Sequence, residues 1–536
     1  MSRRGIVRGL ALAVLLGAAY LLVVRHSHRA PVVTPLAPWT AGASLRETFE
    51  SFPPTGDESA AMRLIRGNTE AWLERWRLLA SARRSIDLSY FILHQDVFGM
   101  AFLGHLLERA RSGVHIRLLL DAQGTKMSWT PIGNDVLDEL VATGNVEIRM
   151  YRPLPRRALE ALLTLSPAAA IASDHDKIIV VDGRESLIGG RNIGAEYFAE
   201  RTVKRGAFSD ADVVIRSRAT ADVLTRAFEA EYARPDTSET SGELSNVQSR
   251  AEMLLGVFRL MDDWLRGRPG TADDSLATWR SELTPNRRLR GGLARVGRDP
   301  AMRAELRILD SQARFDSPED PITRGLDRLV QSAERSILIE SPYLVLSEEA
   351  VAALTDAATR GVAITILTNS PVSSDNALSQ AFFLEQWPTL LAKVPGLRLY
   401  VRGEPSTLHG KSTVFDGRLA TVGTYNLDPT SGRLNSEVVA VAWSDPFADE
   451  VARGPRRMIA LKVPKKLPRV LTTDEVQSIL NACDRLRDRF LVALLYDSGM
   501  RIGEALGLRH HDIAAAERQV RIVSRRNANG ARSKSR

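Results

Sequence analysis

The chain has 536 residues and one cysteine, Cys483. No intrachain disulfide can form, and Cys483 reads as a small buried apolar residue. No cluster of ligand-type residues points to a metal, and no motif asks for a cofactor. A basic body is also missing. Residues 464–536 hold 15 Lys/Arg against 8 Asp/Glu, so the tail carries +7 of the net +8. A nucleic-acid-binding role for the first 463 residues therefore gets no support from charge. Only one long apolar run is present, Gly9–Val24, with Arg3, Arg4 and Arg8 before it and Arg25 and Arg29 after. It lacks a small-x-small site directly behind it, since Ala41-Gly-Ala43 lies too far downstream. An uncleaved membrane anchor is expected over residues 1–29, with a cleaved signal as the alternative.

What is present is a pattern met twice. Ser173-Asp-His-Asp-Lys-Ile-Ile-Val-Val-Asp-Gly-Arg-Glu-Ser-Leu-Ile-Gly-Gly-Arg-Asn192 has a twin in Leu408-His-Gly-Lys-Ser-Thr-Val-Phe-Asp-Gly-Arg-Leu-Ala-Thr-Val-Gly-Thr-Tyr-Asn426. His175, Lys177, Asp182, Gly189 and Asn192 in the first match His409, Lys411, Asp416, Gly423 and Asn426 in the second, at equal spacing. Each copy reads as a strand, an Asp-Gly turn and a second strand. Strand alternation puts His and Lys on one face. The Gly is expected to let backbone approach a ligand, and the Asn to offer an amide. Two copies facing each other would form a cationic pocket with two histidines, which suits a phosphate. The other seven histidines read as structural or surface residues.

The surrounding words repeat too. Ser81-Ala-Arg-Arg-Ser-Ile answers Ser332-Ala-Glu-Arg-Ser-Ile, and Arg111-Ser-Gly-Val answers Arg360-Gly-Val. Helix and strand patterns alternate in the same order around both, which points to a duplicated α/β lobe with a mostly parallel sheet flanked by helices. The expected division is a linker over 30–58, a first lobe over 59–233, an inter-lobe insertion over 234–310 and a second lobe over 311–453. Within the insertion, residues 234–246 read as loop and 267–298 as a solvated excursion. The alternative for 267–298 is a substrate lid or membrane-facing element, suggested by the apolar residues of the helix just before it, Ala251–Arg266.

Together with Gly190-Arg-Asn-Ile-Gly-Ala-Glu-Tyr-Phe198, Phe208-Ser-Asp-Ala-Asp-Val213 and Asn426-Leu-Asp-Pro-Thr-Ser-Gly-Arg-Leu-Asn-Ser-Glu437, the twin pattern resembles the phospholipase D superfamily, and within it the bacterial cardiolipin synthases. The resemblance covers roughly residues 60–450. It implies two lobes related by a pseudo-two-fold axis and one metal-free active site between them. It implies His175 as nucleophile, His409 as general acid, and Lys177, Lys411, Asn192 and Asn426 around the phosphate. Asp210 and Glu437 fall on the family's carboxylates. Asp182 and Asp416 read better as turn braces than as substrate contacts, Ser431 as a phosphate contact or a turn cap, and Glu196 fits more than one role. Asp174 and Asp176 flank His175 with negative charge, and alternation turns them to the opposite face.

The implied activity is phosphatidyl transfer from a membrane phospholipid, phosphatidylglycerol or phosphatidylethanolamine, through a phosphohistidine. The expected setting is a bacterial inner membrane with a periplasmic body. A hydrolytic phospholipase D and a phosphodiesterase nuclease are the enzymatic alternatives. An inactive fusion remnant binding membrane or DNA is the alternative from another class. Finally, Leu494-Leu-Tyr-Asp-Ser-Gly-Met-Arg-Ile-Gly-Glu-Ala-Leu506 resembles the start of a tyrosine recombinase catalytic domain, with Arg501 on its first catalytic arginine. The family's tyrosine nucleophile has no counterpart before residue 536. A short, helix-rich fragment over 464–536 with weak DNA affinity and no strand exchange is expected.

Overall fold

The computed structural model describes residues 36–521, apart from 57–58, 127–133, 165–166, 235–236, 241–249, 271–272, 298–300, 314–319, 455–457, 463–470, 501 and 518. The run Gly9–Val24 and Arg501 lie outside the described residues. Among those described, no helix is long and apolar enough to cross a membrane. The chain divides into two units, 1–463 and 464–536.

The first unit is α/β and built on one sixteen-stranded mixed sheet. Strand β1 (Ala60–Ile65) opens the first lobe. Three strands, β2 (Ser85–Tyr90), β3 (His115–Asp121) and β4 (Val146–Tyr151), then pair in parallel. Helix Val97–Arg111 makes the first crossover, as parallel neighbours require. The first template supplies the hairpin β5 (Ile178–Val181) and β6 (Glu185–Gly189), and β7 (Asp212–Arg216) follows. Each of these pairs antiparallel to its neighbour. The short β8 (Thr237–Glu239) lines the edge against β4, so part of the segment read as loop is a strand.

The second lobe repeats the scheme. Here β10 (Ser336–Glu340), β11 (Ala363–Thr368) and β12 (Arg398–Arg402) are parallel. The second template gives β13 (Ser412–Phe415) and β14 (Leu419–Gly423), and β15 (Glu437–Trp443) follows. A long strand, β9 (Met302–Ser311), pairs with β1 on one side and β15 on the other and joins the lobes into one sheet. Parallel pairing is thus confined to the three crossover strands of each lobe. The template hairpins, closed by tight turns, impose antiparallel pairing through the middle.

Two segments read as surface excursions turn out to be core. Residues within the expected linker form helix Leu45–Glu50, started by a Ser44 capping box. Its Leu45 and Phe49, with Phe52 beyond, are buried in the second lobe's core. Likewise helix Ala251–Arg266 spends its apolar stripe on the first lobe: Leu254, Val257, Met261 and Leu265 are fully buried. Phe258 stacks on Trp76 at 5.5 Å between ring centroids. Leu276, Leu283 and Leu289, from the stretch read as solvated, join the same core. Neither stretch is free to act as a lid, because at about 25 cal/mol per Å² exposing such side chains would cost several kcal/mol.

The second unit holds helices Thr473–Ala482, Leu486–Ser498 and Ile502–Leu506, then a two-stranded ribbon of Ile513–Ala514 and Gln519–Val520. Thr472 caps the first of these helices with Glu475 in a capping box.

Candidate active site

Each template folds as a hairpin because its turn residues accept positive φ. Asp182 and Gly183 sit at φ 53° and 61°, Asp416 and Gly417 at 54° and 69°. Two successive left-handed residues make the turn whose twist matches paired strands. The aspartates have a second task. Asp182 accepts the backbone N–H groups of Arg83, Arg84 and Ser85, and Asp416 those of Glu334, Arg335 and Ser336. Both therefore tie the hairpin to the start of the adjacent parallel strand, and neither reaches the histidines.

The two glycines act differently from expectation. A Cβ on Gly189 would lie 2.2 Å from Asp212 Oδ1, and one on Gly423 2.2 Å from the Val438 carbonyl. The close approach they permit is to the neighbouring strand, not to a ligand.

Short bridges exchange between lobes in front of each histidine. Asp174 pairs with Ser436, and Ser209 with Leu408. The Ser436 N–H donates to Ser173 O at 3.0 Å, and the His409 N–H to Ser209 O at 2.6 Å. Each bridge delivers the next residue, a carboxylate, to the other lobe's histidine. His175 Nδ1 lies 3.0 Å from both Glu437 oxygens. His409 Nδ1 lies 2.5 Å from Asp210 Oδ2. A carboxylate accepting from Nδ1–H fixes the tautomer and leaves Nε2 for chemistry. Ser431 donates to Glu437 at 2.6 Å, so it holds the carboxylate. Asp428 caps the turn.

The surroundings of the two pairs differ. Burial pushes the Glu437 carboxyl up to about 7, with Lys177 opposing. Burial would raise Asp210 as well, but Lys411, His409 and Arg191 overcome it and hold that carboxyl at about 2. Burial, Lys177 and Lys411 keep the His175 imidazole well below its usual range, and so neutral. Burial and Lys411 also lower His409, while Asp210 pulls the other way. His175 is thus an uncharged imidazole beside a weakly ionised acid, and His409 faces a firmly ionised one.

Lys177 Nζ and Lys411 Nζ each donate to the carbonyl of their own histidine, at 2.6 and 2.5 Å. Burial brings Lys177 down to about 8. Both ammonium groups are buried, Lys411 is close enough to lower the Lys177 pKa, and the pair is suited to the non-bridging oxygens of a phosphate. The asparagines part company. Asn192 accepts from the Ile92 N–H and donates to Tyr197 Oη, at 3.0 and 2.9 Å. The Asn426 carboxamide oxygen is buried without a partner among the described residues; as an acceptor it cannot serve an anionic phosphate oxygen, a task that would fall to the Nδ2–H group. Phe91 packs edge-on to His175, and Tyr197, Phe208 and Tyr343 enclose His409.

The acidic neighbours of His175 face away, as alternation requires. Asp174 accepts from Ser89 and Ser436 hydroxyls at 2.5 and 2.7 Å. Asp176 is raised well above the carboxylate range by burial and by Asp174 and Asp310, so it is uncharged. The expected repulsion of an anion is absent for that reason.

Several supports were not foreseen. Arg191 and Arg75 converge on buried Asp212 at 2.9 and 2.8 Å, and Arg191 also donates to Asp210 O. The Gly-Arg-Asn word held that signal. Ser209 and Ser436, next to the two carboxylates, could have been found from the same offset in both copies. His94, Asp96 and Glu196 bring ligand-type atoms within 4.8 Å of one another. Their atoms are committed to protein: Asp96 caps helix Val97–Arg111 and accepts from Ala195 N, and His94 Nδ1 meets Glu196 at 3.1 Å.

Comparison with known proteins fits this geometry. The family model described as "Cardiolipin synthase, PLD-like domain" matches residues 76–232 and 326–459, and a phage integrase family model matches 469–536. "Cardiolipin synthase C" of Escherichia coli is 28% identical over 408 residues, covering 71% of this chain and 80% of that protein. A "Cardiolipin synthase" of Geobacillus kaustophilus is 28% identical over 362 residues, covering 68% of this chain and 59% of that protein. The crystal structure of phosphatidylserine synthase from Haemophilus influenzae Rd KW20 superposes with a TM-score of 0.53 at 14% identity, covering 85% of this chain and 98% of that one. That likeness is one of fold. The two matched segments span more than half of the sequence and contain both histidine templates, and the chain belongs to the family of phospholipase D-like cardiolipin synthase domains.

Proposed function

We propose that this protein is a phosphatidyltransferase that moves a phosphatidyl group from a membrane phospholipid to a lipid alcohol, as its relatives' names suggest, through a phosphohistidine. The observation that carries this reading is the exchange of carboxylates, Glu437 onto His175 and Asp210 onto His409. It leaves one neutral imidazole and one imidazole beside a fixed negative charge.

In the first step His175 Nε2 attacks phosphorus, the Nε2–P bond forms and the P–O bond to the headgroup alcohol breaks. His409 gives its proton to the departing alkoxide. Charge building on the non-bridging oxygens is met by Lys177 and Lys411, with the Asn426 Nδ2–H group as a further donor. In the second step neutral His409 takes the proton of an incoming hydroxyl, which attacks phosphorus and releases His175. Phosphatidylglycerol or phosphatidylethanolamine fits as donor. The body is placed on the outer side of a bacterial inner membrane, held by Gly9–Val24.

The test uses detergent-solubilised protein with radiolabelled phosphatidylglycerol, and products resolved by mass spectrometry. Acid-labile, base-stable label on the chain is expected, together with cardiolipin-type product. His175→Ala and His409→Ala are each expected to abolish turnover, with the double variant little worse than either. Near-native turnover in one single variant would refute the two-histidine mechanism.

A further inference from the structure

At the start of helix Asn68–Ser81 lies a cavity of about 670 Å³ that the catalytic chemistry does not use. Five arginines line it, Arg63, Arg66, Arg201, Arg288 and Arg295, against two glutamates, Glu70 and Glu200. Both glutamates are already matched: Glu70 by Arg63, and Glu200 by the Arg288 N–H at 2.7 Å and its guanidinium at 3.5 Å. Two guanidinium groups remain in excess, those of Arg201 and Arg295. Arg201 has no carboxylate in ion-pair range among the described residues; it donates to Ser209 Oγ. Arg295 donates to the Arg288 carbonyl. Arg66 is paired with Glu340 at 3.4 Å and donates to the Val451 carbonyl, and only its Nε is buried with no partner among the described residues. Burial and nearby Arg191 lower the Arg201 pKa, and Glu404 opposes them only in part.

The wall between these arginines is the start of helix Asn68–Ser81. Its N-cap, Gly67, makes no side-chain cap, so the first backbone N–H groups are left for a ligand. Thr69 and Thr202 add hydroxyls to the lining. Forked guanidinium donors, hydroxyls and a helix start suit the several oxygens of a phosphate better than a carboxylate.

We propose that this cavity binds a phosphate-bearing anion, a second site separate from the two-histidine pocket. Its ligand is the headgroup of an anionic phospholipid or a soluble phosphate ester. Two contacts connect the site to the segment that carries His409. Ser209, held by Arg201, accepts the N–H groups of His409 and Gly410. Glu340, faced by Arg66, fills the space that a Cβ on Gly410 would occupy.

The test is equilibrium dialysis of the full chain in detergent against radiolabelled inorganic phosphate. Two equivalents are expected for the native chain. The double variant Arg201→Gln/Arg295→Gln, both surface side chains, is expected to retain one. Lys177→Met/Lys411→Met is expected to lose the other, so failure of the catalytic reading is seen separately. In that lysine variant the remaining equivalent is challenged with phosphatidylglycerol vesicles, phosphatidylcholine vesicles and glycerol phosphate. Displacement by anionic vesicles alone assigns a lipid headgroup, and displacement by glycerol phosphate alone assigns a soluble ester. Binding that is unchanged between the native chain and Arg201→Gln/Arg295→Gln, or no equivalent left in Lys177→Met/Lys411→Met, would overturn the proposal; a single native equivalent that the arginine variant loses and the lysine variant keeps would instead count against the catalytic reading. Should Arg201→Gln/Arg295→Gln fail to fold, Arg288→Gln with Arg295→Gln gives the same reading.

Discussion

Replacing Asp210 by Asn changes almost no volume and removes one charge, which makes it a sharp test of which histidine is the acid. Asp210 rests at about 2, against 3.8 for an ordinary aspartate. That difference is worth on the order of 2 kcal/mol in favour of the ionised form. Because burial opposes it, the attraction from Lys411, His409 and Arg191 is larger still. The share between Asp210 and His409 acts equally on both partners. Taking it as about 1.4 kcal/mol, His409 should lose its proton about one pH unit lower in the variant. A general acid must be protonated, so the alkaline limb of the pH–rate profile moves to lower pH by about that amount. With an alkyl headgroup as leaving group, kcat should fall by about 10²–10³. A p-nitrophenyl phosphodiester of the same phosphatidyl group needs no acid, and with it the loss should shrink below tenfold. Glu437→Gln acts on the nucleophile and should not be rescued by the better leaving group. Initial rates across pH 5–9 (roughly, the range His titration requires) with both substrates decide it. Equal losses for Asp210→Asn on the two substrates, or an unmoved alkaline limb, would show that the carboxylates do not assign the roles.

Asp416→Ala removes an acceptor for three N–H groups and leaves Ala at positive φ; a loss of about 2–4 kcal/mol in urea unfolding is expected, and Asp416→Asn should recover most of it. The depressed Asp210 carboxyl contributes stability that is complete above its unfolded value of 3.8 and is lost as pH falls through the folded value of about 2. Acid unfolding should therefore begin at lower pH in the Asp210→Asn chain, which has no such carboxyl to protonate, once both are compared at equal neutral-pH stability. Phosphate charge is met by two lysines here, so lipid turnover should survive EDTA; activity lost to the chelator and restored by a divalent ion would contradict that. A chain stopped after Val463 should turn over lipid as well as the full chain does, and a covalent DNA adduct from the full chain would show that residues 464–536 do more than expected.

The templates were legible because five residues recurring at fixed spacing outweigh anything local propensity can say. The same spacing could not show that the carboxylates cross over. That pairing is made by bridges between Asp174 and Ser436 and between Ser209 and Leu408, contacts some 200–260 residues apart that no periodicity encodes. Helix Ala251–Arg266 shows the opposite limit. Its apolar stripe was plain, but a stripe names a buried face and not the neighbour that buries it. Gly189 and Gly423 were read correctly as positions with no room for a side chain. The thing that crowds them is a strand, and the sequence had no means of telling strand from ligand.

The exchange of carboxylates also sets when the chemistry can begin. In order of synthesis Glu437 is the last of the catalytic groups, long after His175, Lys177 and Asp210. A ribosome-bound chain that has already folded its first lobe holds an imidazole without its orienting acid, and an aspartate without the histidine it serves. On the proposed mechanism, the nascent protein should not attack a phosphodiester until residue 437 has left the ribosome and β15 has paired with β9. If the chain meets lipid during translation, as the proposed setting implies, that order would spare the lipid until the fold is complete.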